Sequence, residues 1–216
     1  MPGISGAFFN FISMKNIKNI IFDLGGVILN IDIKRTADAL KELGIDNFSE
    51  YMTQFHITSF FREYEMGKID DAAFIKSIQS LSVKELSEEA AINAWNALLL
   101  DFPQERIDLL KALKEKYRLF LLSNTNAIHH RHFQQQLYLQ TGGYLEDLFE
   151  KTYYSHTIGL RKPDVAIFQR VINENKLNPA ETIFVDDTEE NMAGAKEAGL
   201  QVLHIGQVKS IVELEW

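Results

Sequence analysis

The 216-residue chain contains no cysteine, which removes a disulfide framework, a thiol nucleophile and thiolate metal ligands from consideration. Runs of lysine or arginine are missing too, and 30 acidic against 22 basic residues give a formal net charge of −8. Such a chain repels a phosphate backbone, so nucleic acid is not an expected partner. No stretch approaches the roughly 20 consecutive apolar residues that a membrane span needs. The short apolar patch of Ala7, Phe8, Phe9, Phe11 and Ile12 has no basic residue before it and no small-residue cleavage site, so it does not read as a secretory signal. Residues 1–15 are expected to be an extension outside the fold. Internal repeats and low-complexity linkers are also lacking.

What remains is ordinary globular composition, 46% hydrophobic and 24% charged. The length suits one core, or a core carrying a smaller insert. The expectation is a cytoplasmic monomer or weak dimer acting on a small molecule.

Short apolar runs that end in polar residues recur. Ile20-Ile21-Phe22 ends at Asp23, Leu119 to Leu122 ends at Ser123, and Ile183-Phe184-Val185 ends at Asp186. Continuous apolar runs of this length read as strands of a parallel sheet covered on both faces. Val202 to Ile205 and Thr152-Tyr153-Tyr154 read as two further strands. Helices fit between them. Ile107, Leu110, Leu113 and Tyr117 follow helical spacing behind Pro103; Pro163 opens a second helix; Met192, Ala195 and Ala198 line a third that Gly199 can stop. Strand alternating with helix predicts an α/β, Rossmann-like, doubly wound parallel sheet.

Residues 32–101 break that rhythm with helical patterns alone. Ile33, Ala37 and Leu40 share a face before Gly44; Phe60, Phe61 and Tyr64 precede Gly67; Phe74, Ile78 and Leu81 form a stripe, as do Ile92, Trp95 and Leu99. Ser82-Val83-Lys84-Glu85 reads as a capping box. The segment is expected to be a helical-bundle cap inserted into a core made of residues 16–31 and 102–216.

Ligands of open parallel sheets bind beyond the carboxyl ends of the strands. Asp23, Ser123, Asn124, Asp186 and Asp187 are therefore candidates to meet, joined by Lys162 from the loop before Pro163. Converging carboxylates repel one another, and a hard dication such as Mg²⁺ resolves the repulsion. Lys162, placed where a helix would begin, stands at the wrong end of the helix dipole for a cation, which points to function. Metal and lysine together suit a phosphoryl group. Gly25-Gly26 lets the backbone approach an anionic ligand, so Gly26 joins the binding candidates.

Four motifs occur in order: Phe22-Asp23-Leu24-Gly25-Gly26-Val27, Leu122-Ser123-Asn124-Thr125-Asn126, Gly159-Leu160-Arg161-Lys162-Pro163-Asp164, and Phe184-Val185-Asp186-Asp187-Thr188-Glu189-Glu190-Asn191. With them the chain resembles the haloacid dehalogenase-like hydrolase superfamily from Lys18 onward. The helical insert and the Ser-Asn-Thr-Asn wording are similar to the branch that includes α-glucose-1-phosphate phosphatase. The resemblance implies that Asp23 is the nucleophile and a Mg²⁺ ligand, that Gly25 offers its carbonyl to the metal, and that Ser123 and Asn124 bind the phosphoryl group. It implies that Lys162 neutralises that group and orients Asp23, that Asp186 ligates Mg²⁺, and that Asp187 holds metal-bound water or Lys162. The implied activity is Mg²⁺-dependent hydrolysis of a small phosphomonoester, such as a sugar phosphate, through an aspartyl-phosphate.

One position departs from the pattern. Most phosphatases of this superfamily carry a general acid–base aspartate two residues after the nucleophile, and here that place is Gly25. His129 or Glu65 stands as a candidate substitute, and Asn191 as a supporting metal residue. Two other readings stay open: a non-catalytic phosphate-ligand binding protein in which Gly25 marks lost chemistry, and a metal-free dehalogenase. Blander roles exist for each residue, such as Asp186-Asp187 as a helix cap pair or His129, His130 and His132 as ordinary helix residues. No Cys or His-Glu spacing completes a zinc set.

Overall fold

The computed structural model describes residues 14–46, 48, 60–206 and 210–216. Five strands form one sheet: β1 (Asn19–Phe22), β2 (Arg118–Ser123), β3 (Lys151–Tyr154), β4 (Thr182–Asp186) and β5 (Gln201–His204). Their order is β3-β2-β1-β4-β5, and every neighbour pair is parallel. The register sets Phe22 beside both Leu121 and Val185, so the next residue, Asp23, comes level with Asp186. The Asp23 amide carries the ladder one step further by donating to Val185 O at 2.9 Å.

The helices are α1 (Ile33–Glu42), α2 (Phe60–Glu65), α3 (Asp71–Leu81), α4 (Glu88–Asn96), α5 (Gln104–Lys114), α6 (Ala127–Thr141), α7 (Ser155–Ile158), α8 (Val165–Asn175) and α9 (Glu189–Glu197). Alternation along each strand assigns them to faces. Ile20, Phe22, Leu119, Leu121, Ile183 and Val185 pack with Ile107 and Leu110 of α5 and Phe133 of α6. Ile21, Phe120, Leu122 and Phe184 pack on the other face with Ile167 and Phe168 of α8 and Met192 of α9. Because both faces are covered, every residue of these strands profits from being apolar, each buried large side chain contributing about 1.5–3 kcal/mol. That is why the runs are unbroken.

Helices α1 to α4 share a separate apolar cluster, with Leu40, Tyr64, Phe74, Ile78 and Trp95 at its centre and Ile128 of α6 reaching in from the core. Tyr64 and Phe74 stack with ring centroids 4.1 Å apart. The two connectors to the core pair with each other. Ile31 and Leu99 form an antiparallel bridge, flanked by Asn30 N–H to Asp101 O and Asp32 N–H to Leu98 O, both 2.9 Å.

Several local expectations change. Ile33 is 54% exposed, because the inward line of α1 runs through Thr36 and Leu40 instead. Thr36 is tolerated there because its hydroxyl donates to Trp95 O and accepts from Leu98 N. Ser82 does not open a helix. Its hydroxyl donates to Leu43 O at 2.7 Å and accepts from Lys84 N, making a turn, and Ser87 caps α4 instead. Met14–Asn16, partly within the expected extension, form a 3₁₀ turn, and Met14 packs against the core; residues 1–13 lie outside the described residues. Among the described residues no helix is long and apolar enough to cross a membrane.

Candidate active site

Asp23, one residue past β1, and Asp186, the last of β4, are brought side by side by the parallel register. Lys162 reaches between them from the loop after α7. Its Nζ donates to Asp23 Oδ1 and to Asp186 Oδ2, each at 2.7 Å. Only 1% of the Lys162 side chain and none of the Asp186 side chain is exposed. Phe184 lies under the ammonium, 5.4 Å from ring centroid to Nζ. Pro163 was expected to open the next helix, but α8 starts at Val165 behind Asp164, which leaves Lys162 in the loop, outside the first turn of that helix.

Burial pushes Asp23 up to about 7; Lys162 opposes the rise and Asp186 adds to it. Burial also works against the Lys162 ammonium, but Asp23 and Asp186 outweigh it and hold the group above its ordinary value. Asp186 is fully engaged. Its Oδ2 also accepts from Asn191 Nδ2 at 2.9 Å, and its Oδ1 accepts the Thr188 amide at 2.7 Å. Burial, then the charge of Asp186, raises Asp187.

Asp23, Asp186 and Asp187 each offer a carboxylate oxygen within 4.8 Å of the others, the one such cluster of three or more ligands among the described residues. Three carboxylates against one ammonium leave two negative charges in excess. An oxygen-only donor set with that excess fits Mg²⁺ better than zinc or a soft metal. The Gly25 carbonyl accepts no backbone hydrogen bond among the described residues.

The two glycines do different things. Gly26 has φ +73°, and a Cβ built there would lie 2.0 Å from Asp187 Oδ2, so only glycine fits. Its N–H, expected to meet an anion, is instead given to Leu29 O at 2.9 Å. Where a side chain on residue 25 would begin, Ile31 Cδ1 lies 3.2 Å away. Ile31, in the segment leading to α1, thus borders the position of residue 25.

Ser123 ends β2, buried, and its hydroxyl has no hydrogen-bond partner among the described residues. Asn124 was expected to bind the phosphoryl group together with Ser123. Its side chain accepts Lys162 N–H at 2.9 Å and donates to Lys162 O at 3.0 Å. Ser155, fully buried, locks the same turn by accepting from Thr125 N and donating to Thr125 O. Ser155 was not among the expected site residues, although it carries the same signal as Ser123, a polar residue ending an apolar run, here Thr152-Tyr153-Tyr154.

His129 is sequestered. Its Nδ1 faces Asn126 Nδ2 and its Nε2 faces Trp95 O, both at 3.0 Å, and the ring stacks on Trp95. Burial pushes its pKa down to about 4. With both nitrogens engaged it joins α6 to the cap helix α4 and is not placed to serve as the missing acid–base group. Glu65 forms an ion pair across to the core, its Oε2 3.1 Å from Arg161 Nη2. Arg161 was not singled out from the sequence, where nothing distinguishes it from a surface arginine.

Residues 17–199 match the haloacid dehalogenase-like hydrolase family. D-ribitol-5-phosphate phosphatase of Bacteroides thetaiotaomicron is 34% identical over 185 residues, spanning 86% of this chain and 90% of that one. A sesquiterpene phosphatase of Aspergillus oryzae is 32% identical over 190 residues, 87% and 89% of the two chains. Among solved structures, a haloacid dehalogenase family enzyme of B. thetaiotaomicron in complex with magnesium and inorganic phosphate superposes with a TM-score of 0.81 at 37% identity, covering 87% of this chain and 93% of that chain.

Proposed function

The chain belongs to the haloacid dehalogenase-like hydrolases and is a phosphoric monoester phosphatase; on that premise we propose that it hydrolyses a small sugar or sugar-alcohol phosphate with Mg²⁺, using Asp23 as nucleophile. The observation that carries this reading is the buried Lys162 held at 2.7 Å from both Asp23 and Asp186, with Asp187 completing a cluster in charge deficit. Asp23, Asp186, Asp187 and the Gly25 carbonyl would hold Mg²⁺. Bound there, the ion neutralises phosphoryl oxygens and the carboxylates around them.

A carboxylate oxygen of Asp23 attacks phosphorus, the ester P–O bond breaks, and the sugar leaves as its alkoxide to take a proton from water. Water then adds to the aspartyl-phosphate, restoring the carboxylate and releasing inorganic phosphate. Lys162 keeps Asp23 in its ionised, attacking form and meets the charge on the transferring group. The Ser123 hydroxyl binds a phosphoryl oxygen. Substrate identity rests on the relative that acts on D-ribitol-5-phosphate, which favours a five- or six-carbon phosphate over other monoesters, glucose-1-phosphate included among the candidates.

Phosphate release from ribitol, ribose and glucose phosphates, measured with Mg²⁺ and with EDTA, tests the reading. Turnover that needs Mg²⁺ and disappears in Asp23→Asn supports it. Equal release by wild type and Asp23→Asn rejects the nucleophile, and sugar-phosphate binding without turnover leaves only a binding protein. Metal-independent chloride release from 2-chloropropionate would assign it to dehalogenation instead.

A further inference from the structure

We propose that Asn124 is a positioning residue for Lys162: its side-chain amide clamps the lysine's backbone and thereby sets the ammonium between Asp23 and Asp186. The inference rests on the phosphatase reading and assigns to this side chain a task other than phosphoryl binding.

Residues 124 and 162 are 38 positions apart and share no strand or helix, yet the Asn124 side-chain amide meets both the N–H and the C=O of Lys162. It accepts Lys162 N–H at 2.9 Å and donates to Lys162 O at 3.0 Å, the pattern a neighbouring strand would supply. From the backbone so held, the lysine side chain runs inward to its two 2.7 Å contacts.

The opposite side of the loop is fixed by close packing. A Cβ built on Gly194 of α9 would stand 1.9 Å from Pro163 O, so the backbone there lies directly against the helix. Flanking residues of the same loop face the cap, with Arg161 on Glu65 at 3.1 Å and Asp164 near Arg62 at 3.9 Å. Asn124 is the inner anchor of this loop, and it sits directly after Ser123. Phosphate-binding and lysine-bearing segments are thereby tied into one unit. A shift of about 1 Å in a catalytic group costs on the order of 10²-fold in rate, which is the scale on which such an anchor acts.

The test is a double-mutant cycle of Asn124→Ala and Lys162→Ala, run under Mg²⁺ with wild type and Asp23→Asn alongside. Asn124→Ala is expected to lower kcat by about 10–100-fold with KM changed less than about threefold, and the double variant is expected to be no slower than Lys162→Ala. Inorganic phosphate binding, followed by calorimetry, should weaken no more in Asn124→Ala than in Lys162→Ala, and no further in the double variant. A double variant slower than Lys162→Ala by the full factor of Asn124→Ala overturns the proposal, as does a loss of phosphate affinity in Asn124→Ala about tenfold or more beyond that of Lys162→Ala. Should the alanine variant fail to fold, Asn124→Gln keeps both the donor and the acceptor but displaces them by one methylene without adding charge, and the same criteria apply to it. A wild type without Mg²⁺-dependent turnover defeats the phosphatase reading itself, whereas normal turnover with an additive cycle defeats only the role of Asn124.

Discussion

Replacing Lys162 by Met removes the ammonium between Asp23 and Asp186, which lie 2.7 Å from it on either side. Removing one partner of a buried charged group costs about 3–5 kcal/mol, because the charge left behind has neither water nor counter-ion. For a domain of this size each kcal/mol moves Tm by about 2–4 °C, so the metal-free variant should melt about 6–20 °C lower. The gap depends on pH. Even with the lysine present, burial pushes Asp23 up to about 7, above its unfolded value, and without the lysine it goes higher. A carboxyl raised in this way costs nothing below its unfolded pKa, and stability is lost as pH rises from there through the folded pKa; the variant, with the higher folded pKa, goes on losing stability above neutrality where wild type has levelled off. The loss should therefore be largest near pH 8 and smaller near pH 5, roughly one unit or more either side of neutrality. Excess Mg²⁺ should raise Tm, and more in the variant than in wild type, since it supplies the missing positive charge. Thermal melts of both proteins in EDTA and in Mg²⁺ at the two pH values decide the matter. A variant as stable as wild type in EDTA near pH 8, with the same Mg²⁺ response, would refute the electrostatic account of the site.

Gly26→Ala places a Cβ 2.0 Å from Asp187 Oδ2 at φ +73°; left-handed backbone costs about 1–2 kcal/mol, and the displaced carboxylate should weaken Mg²⁺ about tenfold or more, read from a metal titration of activity. His129→Ala should lower stability by about 1–3 kcal/mol while kcat stays within about threefold, whereas loss of a working acid–base group would cost about 10²–10⁴-fold. Because burial holds His129 at about 4, its share of stability is present above its unfolded pKa of about 6.5 and is lost as pH falls through 4, so the variant's melts should fall less steeply on the acid side. With no carboxyl at residue 25, aryl phosphates should turn over at least about 10²-fold faster than alkyl phosphates in single-turnover assays; rates indifferent to the leaving group would reveal a proton donor in the site.

Sequence reading and structure part company at the level of the side chain's destination. Asp23, Ser123 and Asp186 were legible because a buried parallel strand demands an unbroken apolar run, and the first polar residue after it marks the carboxyl edge. Lys162 was legible as a residue of the loop before Pro163, although the helix behind that loop begins only at Val165. Gly26 was read as an anion site, but its N–H is spent on Leu29 O and the absent side chain makes room for Asp187. His129 and Asn124 looked available, and both are occupied by partners 34 and 38 residues away.

The sequence by itself determined the five strands, the run of helices between the first two of them and the acidic strand ends, because periodicity, apolar runs and glycine stops act within a few residues. Tertiary structure alone decided which polar groups remain free for chemistry. Hydrogen-bond capacity is used up by whatever the fold brings within about 3 Å, and that depends on contacts between segments far apart in the chain. It also set the charge balance of the site, since three carboxylates call for a cation only when the sheet register brings them together.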